Sequence, residues 1–362
     1  MSGIVAIVGA GNVGCALAGD LALRGAEVRL FNRSGERLAP IREAGGITLT
    51  GELEGFAQLS LVTENLVHAI DGADVVAVTL PTSSLPFYAS ALASATTDEQ
   101  VIWLDPGHSG GALFLTAEIA RAQAGRVRKL CQLTTASHIS RMTGPATVQV
   151  FLLARASLAA LPSSNLDECY ERVSELLPGQ LERIDSVLEA DLSNINAIMH
   201  PPGMICNAGW IEATEGGFGF YAEGNGPVVA RVMDAVDRER LALAERLELP
   251  AVPFVELFHE LGFTAETLRT ASVHDAVIGS ELIRAVKAPP RLDHRYLHED
   301  VGWGLVPWMH LAAAVACPAP VISAITHLAG VINGIEYARA GLTIEGMGLT
   351  GKNADEIRAY AS

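Results

Sequence analysis

The residues best placed to do chemistry lie at mid-chain, where His200 is followed by Pro201 and Pro202. Histidine is the side chain best suited to proton transfer near neutral pH. A residue before proline is biased away from helical conformation, and two successive prolines remove two backbone N–H donors. The pattern therefore predicts that a helix ends at His200 and that its ring faces a cleft as an acid or base. A structural histidine held by the core is the alternative.

A glycine-rich turn near the start of the chain has the residues that hold a pyrophosphate. Gly9, Gly11 and Gly14 follow the apolar run at residues 4–8 and precede a helical pattern. In such a turn the first glycine permits a tight bend, the second admits the pyrophosphate, and the third allows close helix packing. The amino terminus of the helix supplies N–H donors to the phosphates. The predicted dinucleotide contacts are Gly9, Gly11, Asn12, Val13 and Gly14.

The next predicted strand, residues 27–31, ends in Asn32, Arg33 and Ser34, where such folds contact the cofactor ribose. An acidic residue there would accept hydrogen bonds from the 2′-hydroxyl of NAD, whereas an arginine suits the 2′-phosphate of NADP. This corner has no carboxylate. The sequence favours NADP(H) over NAD(H), with Arg33 pairing the phosphate and its two neighbours assisting. A solvated turn arginine is the alternative.

Strand-like and helical patterns alternate through the rest of the first half, which is typical of a parallel doubly wound sheet. Strands are predicted at residues 75–78, 101–104 and 127–133, with helices at about 84–95 and 111–124.

Cofactors in such sheets lie over the carboxyl ends of the strands. The loop containing Pro81 and the loop containing Asp105, Pro106 and Gly107 are therefore predicted to line the dinucleotide. His108 in the second loop is a rival to His200 as acid or base.

A polar loop is predicted at residues 134–141. Its last residue, Arg141, is placed to clamp a substrate carboxylate with two parallel hydrogen bonds. An exposed arginine before a turn is the alternative.

From about residue 185 the pattern becomes helical. The fold class is therefore α/β, with an N-terminal Rossmann-type doubly wound sheet followed by a mainly α-helical C-terminal domain. The predicted domains are residues 1–182 and 183–362, and a cleft between them is the expected active site. The main helical patterns cover residues 186–199, 228–247 and 320–340.

Composition limits the classes of partner. The formal net charge of −16 disfavours nucleic acid and anionic membrane surfaces. The five cysteines are scattered without a Cys-x-x-Cys pair, which favours free thiols in the cytoplasm. His294 and His298 have the spacing of a helical metal pair, but no cysteine lies close by, so we predict polar surface and no metal site.

Five separated motifs, in order over nearly the whole chain, resemble the opine dehydrogenase family, which comprises the octopine and nopaline dehydrogenases. The motifs are Gly9-Ala10-Gly11-Asn12, Asn194-x-Asn196-Ala197-x-x-His200-Pro201 followed by Asn207-Ala208, Phe218-x-Phe220-Tyr221-x-Glu223-Gly224, Asp237-x-Glu239-Arg240, and Arg295-Tyr296-x-x-Glu299-Asp300-Val301 followed by Gly304-Leu305-Val306-Pro307.

The resemblance implies a Rossmann domain followed by a helical domain. It also implies reductive condensation of an α-keto acid with the amino group of an amino acid, through an imine that NAD(P)H reduces. By the same resemblance, His200 is the catalytic acid or base and Asp300 is its partner. We also expect the substrates to be contacted by Arg141, Asn196, Tyr221 and Trp303.

The chain departs from the family pattern at Asn225 and Gly226, where the family tends to have a β-branched residue and then threonine before proline. The resemblance therefore carries the chemistry and leaves the keto acid and the amine open.

Three alternatives compete with an opine dehydrogenase. A ketopantoate reductase or β-hydroxyacid dehydrogenase would need a lysine early in the helical domain, and the chain has only Lys129, Lys287 and Lys352. An imine reductase would use His200 and Asp300 on a preformed imine. A redox sensor would bind NADP without turnover. We expect a cytoplasmic homodimer whose partners are small molecules, without nucleic acid or membrane.

Overall fold

The computed structural model describes residues 3–123 and 128–362. These residues form two compact units. The first comprises the described residues up to Gly107, residues 111–190 and the last two residues; the second comprises residues 108–110 and 191–360. The loop at 108–110 thus belongs with the second unit, although it follows a strand of the first.

The first unit contains the described strands and seven of the described α-helices. Its strands are β1 (Ile4–Val8), β2 (Glu27–Phe31), β3 (Gly46–Gly51), β4 (Gly55–Gln58), β5 (Leu61–Thr63), β6 (Val75–Val78), β7 (Val101–Leu104), β8 (Lys129–Leu133), β9 (His138–Gly144), β10 (Thr147–Leu153), β11 (Ala156–Leu161) and β12 (Leu181–Arg183). Its helices are α1 (Asn12–Leu23), α2 (Gly35–Ala44), α3 (Leu66–Ile70), α4 (Leu85–Ala95), α5 (Gly111–Ala122), α6 (Leu166–Leu176) and α7 (Val187–Leu192), the last of which ends two residues into the second unit.

The main sheet has eight strands in the order β12-β11-β8-β7-β6-β1-β2-β5. The six strands from β8 to β5 are parallel, and β11 joins them antiparallel to β8. Strands β6 and β7 are buried along their whole length, as expected where helices cover both faces. The predicted Rossmann-type sheet is confirmed, and the predicted strands at 4–8, 27–31, 75–78 and 101–104 match β1, β2, β6 and β7. Residues 124 and Val127, at the ends of a predicted helix and strand, lie outside the described residues.

A second sheet of four strands, in the order β4-β3-β10-β9, has no counterpart in the sequence predictions. The polar loop predicted at 134–141 is wrong in part, since β9 begins at His138 and pairs with β10. Its residues are mostly half-buried or exposed, so they lack the apolar alternation that indicates a strand. Helix α1 contacts this sheet so closely that a Cβ on Gly19 would lie 2.4 Å from Leu49 Cδ1.

The second unit is helical, as predicted. Its helices are α8 (Ile195–Cys206), α9 (Ala208–Thr214), α10 (Pro227–Arg246), α11 (Phe254–Glu260), α12 (Val273–Ile278), α13 (Arg295–Asp300), α14 (Val306–Ala314), α15 (Pro320–Asn333), α16 (Tyr337–Ala340) and α17 (Ala354–Tyr360), with a π-helical turn at Val301–Leu305. None of the helices in the described chain is both long enough and apolar enough to cross a bilayer.

One turn of α10 ties several helices together. Arg240 is buried; its Nε donates to Asp237 Oδ1 at 2.8 Å, and Nη1 donates to the Leu192 carbonyl at 2.9 Å. The other Asp237 oxygen accepts from the Phe254 N–H at the start of α11. The Glu239 carboxylate accepts from two N–H groups of the first turn of α15. The residues of the Asp237-x-Glu239-Arg240 motif therefore have a structural role, which is to join helices of the second unit.

The prediction that a helix ends at His200 is wrong, because α8 continues through Pro201 and Pro202 to Cys206. An interior proline costs about 3 kcal/mol or more. Nine of the twelve residues of α8 are buried, including two isoleucines and two methionines. Because each such side chain contributes about 1.5–3 kcal/mol on burial, packing offsets the missing hydrogen bonds.

Candidate active site

His200 on α8 and Asp300 at the end of α13 meet in the second unit. His200 Nδ1 lies 2.7 Å from Asp300 Oδ2, and the two side chains are 7% and 3% exposed. A carboxylate in this position accepts the Nδ1 proton, fixes the tautomer and stabilises the imidazolium. The predicted pair therefore has the geometry of an acid–base dyad.

Tyr221 holds the other nitrogen of the His200 ring. Its hydroxyl oxygen lies 2.7 Å from Nε2, and the tyrosine is only 5% exposed. Burial, followed by the influence of the neighbouring Tyr296, raises the pKa of Tyr221 well above its ordinary value. The side chain therefore stays a neutral phenol at physiological pH and donates its proton to Nε2 whenever that nitrogen is unprotonated.

Tyr296 completes the surroundings of the imidazole and was missed as a site residue. Its ring stacks on that of His200, with centroids 3.7 Å apart and planes within 10°, and its proximity contributes to the raised pKa of Tyr221. The available signal was its spacing, because Tyr296 lies four residues before Asp300 and so on the same face of α13.

Two histidines help to hold α13 in place. His294 Nδ1 caps the helix by accepting the Tyr296 N–H at 3.2 Å. Burial, followed by the charge of Arg295, lowers the pKa of His294 to about 4, so it is neutral at pH 7 and able to accept. His298 bonds to Tyr337 and to Asp293.

No group of three or more His, Cys, Asp or Glu side chains in the described parts of the chain is arranged to hold a metal.

His108, the rival acid or base, pairs with a different carboxylate. Its Nε2 lies 3.5 Å from Glu299 Oε1, which is beyond ordinary hydrogen-bond length. Glu299 also pairs with Arg295 at 3.0 Å. Since this carboxylate is shared with a guanidinium, the geometry favours His200 over His108 as the proton-transfer group.

The remaining predicted substrate contacts are dispersed. Asn196 lies one turn before His200 on α8, so both side chains project from one face. Trp303 is buried in the π-helical turn that follows Asp300. Arg141 is exposed on β9 of the first unit, where it pairs with Gln149 across the sheet.

The glycine-rich turn has the geometry of a phosphate site. Gly9 has φ +124°, and a Cβ on Gly14 would lie 1.8 Å from the Gly9 carbonyl oxygen, so neither position tolerates a side chain without strain. A Cβ on Gly11 would meet no atom within 4 Å. Gly11 is the N-cap of α1 and provides no side-chain cap, which leaves the first N–H groups of the helix available to a ligand. The turn therefore fits a dinucleotide pyrophosphate.

Two of the predicted cofactor contacts make hydrogen bonds to other parts of the first unit. Asn12 Oδ1 accepts from the Met142 N–H at 3.0 Å. Asn32 Oδ1 accepts from the Ala10 N–H at 3.3 Å, and its amide donates to the Ser34 carbonyl. These side chains shape the loop that would surround the cofactor.

Arg33 and Ser34 are exposed at the end of β2, and Arg33 makes no ion pair with any residue that the structure describes. Arg37, which was not predicted, donates from Nε to the Ala10 carbonyl at 2.8 Å. The segment that follows β2 therefore carries two guanidinium groups. The sequence feature that could have predicted Arg37 is its position four residues after Arg33.

At the end of β7, the carboxylate of Asp105 is buried and accepts from the Ser137 N–H at 2.8 Å and hydroxyl at 2.5 Å. Burial raises the pKa of Asp105 against the opposing hydrogen bonds of Ser137. A Cβ on Gly107 would lie 2.1 Å from Gln132 Oε1, so this loop is tightly packed. Pro81 is exposed just before a single 3₁₀ turn.

Comparisons with known proteins show to which protein family the chain belongs. Residues 183–333 match the model of the NAD/NADP octopine/nopaline dehydrogenase alpha-helical domain, and residues 4–104 match that of the coenzyme F420-dependent NADP oxidoreductases. The opine dehydrogenase of Arthrobacter sp. (strain 1C) is 32% identical over 356 residues, covering 98% of this chain and 97% of the relative. The chain belongs to the opine dehydrogenase family. It is accordingly an NAD(P)-dependent oxidoreductase, and the reaction of its family is the reductive condensation of a keto acid with an amino acid.

Solved structures of the family share the fold. Octopine dehydrogenase with NADH and L-arginine has a TM-score of 0.78 at 18% identity, covering 99% of this chain and 98% of that one. Yersinopine dehydrogenase with NADP+ has a TM-score of 0.70 at 15% identity, with 99% and 97% covered. At these identities the likeness confirms the two-part architecture.

Proposed function

We propose that the protein condenses an α-keto acid with the amino group of an amino acid and reduces the resulting imine, with His200 and Asp300 as its acid–base dyad. The observation that carries this proposal is the 2.7 Å contact between Nδ1 and Oδ2 of two buried side chains, in a chain of the opine dehydrogenase family.

The dyad supplies the proton transfers of the condensation. Protonated His200, paired with Asp300, is the source of the proton that makes the keto carbonyl more electrophilic and of the proton with which the hydroxyl group leaves the carbinolamine as water. The paired charges are buried together, so the imidazolium is compensated where it forms. NAD(P)H, when bound, supplies the hydride that reduces the C=N bond.

A carboxylate clamp is part of the proposal. Arg141 is the predicted clamp, and its exposure on β9 leaves the guanidinium accessible. Arg295 is a second candidate, because it lies on the same short helix as Asp300 and its side chain is 57% exposed. Either guanidinium has the planar donor geometry that matches a carboxylate.

We further propose NADP(H) as the preferred cofactor. Support comes from the exposed Arg33 and the anchored Arg37 at the corner where a 2′-phosphate would lie, and from the absence of a carboxylate among residues 32–34. The related structures bind NADH in one case and NADP+ in the other.

Replacement of Arg33 with alanine tests this preference. The expected result is a KM for NADPH raised about tenfold or more, because a charge-assisted hydrogen bond contributes about 1.5–3 kcal/mol, with the KM for NADH unchanged. Arg29→Ala is the control, since that arginine on β2 bonds to Glu27 and to the Asp71 carbonyl. A wild-type enzyme that strongly prefers NADH would contradict the proposal.

The function itself is tested by following NADPH and NADH oxidation with a panel of keto acids crossed with amino acids. We expect oxidation only when both are present, and a product whose mass equals their sum minus water plus two hydrogens. Reduction of a keto acid alone would favour a keto-acid reductase, and turnover of preformed imines alone would favour an imine reductase. Cofactor binding without turnover would favour a sensor.

We also propose a cytoplasmic homodimer. All five cysteines are free thiols, which agrees with a reducing compartment. Leu328 and Val331 on α15 are exposed apolar residues of the kind that a second copy covers.

A further inference from the structure

Both nitrogens of the His200 ring are already engaged. Nδ1 faces Asp300 at 2.7 Å, and Nε2 faces the Tyr221 hydroxyl at the same distance. A dyad histidine acts through the nitrogen that its carboxylate does not hold. A substrate oxygen that bonded directly to Nε2 would have to displace the tyrosine.

Tyr221 is held firmly in its position. It is buried, and its ring packs edge-to-face on Phe220 with centroids 5.0 Å apart. The backbone on its amino-terminal side is pinned to residues 286–288, since the Phe220 N–H donates to the Val286 carbonyl and the Phe218 carbonyl accepts from the Ala288 N–H, both at 2.9 Å. Displacing Tyr221 would break this packing.

We propose that Tyr221 is a catalytic residue: its hydroxyl exchanges the proton with the substrate, and His200 behind it reloads the phenol. This inference rests on the proposed reductive condensation and assigns that reaction a further proton-transfer group. Tyr221 thereby takes part in proton transfer, in addition to the substrate contact expected from the sequence.

The proton transfers balance. The Tyr221 O–H gives its proton to the hydroxyl group of the carbinolamine, which leaves as water when the C–O bond breaks and the nitrogen lone pair forms the C=N bond. The phenolic oxygen takes the Nε2 proton of imidazolium His200 at the same time, so His200 becomes neutral and keeps its Nδ1 proton, which it donates in a hydrogen bond to the Asp300 carboxylate. The phenol ends as it began, and no free phenolate is formed.

Tyr296 supports this assignment. It stacks on His200 and is less buried than either His200 or Tyr221. The buried chain of Asp300, the imidazole and the phenol therefore borders a more accessible tyrosine.

Replacement of Tyr221 with phenylalanine tests the proposal. The expected result is a kcat lowered on the order of 100-fold, in the range of general acid–base contributions, with the dissociation constant of NADPH unchanged. Tyr337→Phe is the matched control, because Tyr337 is also buried and also bonds to a histidine, 2.6 Å from His298 Nδ1. That control should keep the wild-type kcat.

A second measurement separates proton transfer from packing. Incorporation of a fluorotyrosine at position 221 keeps the shape of the side chain and lowers the pKa of the phenol. We expect the pH profile of kcat to shift, whereas a purely structural role would leave the profile in place. This variant also decides the question if Tyr221→Phe does not fold.

The outcomes are distinct. A Tyr221→Phe enzyme whose kcat stays within about twofold of wild type overturns the proposal and returns direct proton transfer to His200. If the wild type reduces some other carbonyl or imine and does not condense keto acids with amino acids, the proposed function fails. The tyrosine comparison on that substrate then still decides the role of Tyr221. Absence of any reductive turnover overturns both.

Discussion

Replacement of His200 with alanine is expected to lower kcat by on the order of 1,000-fold while the dissociation constant of the cofactor changes little. The imidazole is the central member of the buried chain from Asp300 to Tyr221, so its loss removes both the proton source and the group that orients the phenol. Steady-state kinetics combined with a fluorescence titration of NADPH would measure the two effects separately.

Two further variants complete the test of the dyad. Asp300→Asn keeps the shape of the partner but removes the charge that stabilises the imidazolium, so a comparable loss is expected. His108→Ala is the control, because its carboxylate partner Glu299 is shared with Arg295. We expect it to reduce kcat less than tenfold. If His108→Ala were the more damaging change, the assignment of His200 would be wrong.

The second large effect is expected at the glycine-rich turn, where two similar substitutions should fail for different reasons. In Gly14→Ala, the new Cβ would lie 1.8 Å from the Gly9 carbonyl oxygen and 2.5 Å from Thr79 Oγ1, so the backbone has to move. We expect destabilisation of about 1–3 kcal/mol or more. The cofactor affinity should fall on the order of 100-fold, because Gly14 holds the helix amino terminus in place.

Gly11→Ala should leave the melting temperature of the cofactor-free protein unchanged, because its Cβ would meet no protein atom within 4 Å. We expect the dissociation constant of the cofactor to rise about tenfold, since the methyl group would occupy the approach of the pyrophosphate. Gly209→Ala is the control, since this glycine on α9 also has open space. Unchanged cofactor binding by Gly11→Ala would show that the pyrophosphate does not approach here.

The central sheet was predictable from the sequence because strands buried on both faces are continuous apolar runs bounded by glycine or polar turns. Strands β1, β6 and β7 have this character. Strands β4 and β9 of the smaller sheet are mostly exposed or half-buried and rich in polar residues or glycine, so their pairing is decided by contacts distant in sequence. The continuation of α8 through Pro201 could not be predicted for a related reason. Burial of the helix in the core outweighed the local preference of proline against a helix interior.

The candidate site divides in the same way. His200 was found from its chemistry, and Asp300 only from the family resemblance, because the two lie 100 residues apart. Tyr296 had a local signal in its spacing from Asp300. The contact between Tyr221 and Nε2 had none, because it depends on how residues 216–224 pack against the segment at 286–288. Single residues with suitable chemistry can be identified in sequence, while the hydrogen-bonded order among them is a property of the packed helices.

The single turn of α10 that carries Asp237, Glu239 and Arg240 holds the helical unit together independently of the His200–Asp300 pair. Its side chains satisfy backbone groups of α7, α11 and α15, and its connections to those elements need no residue that contacts substrate. These hydrogen bonds do not involve the expected substrate contacts Asn196, Tyr221 and Trp303. We therefore expect substitutions at those three positions to change the amine preference while the helices stay in place.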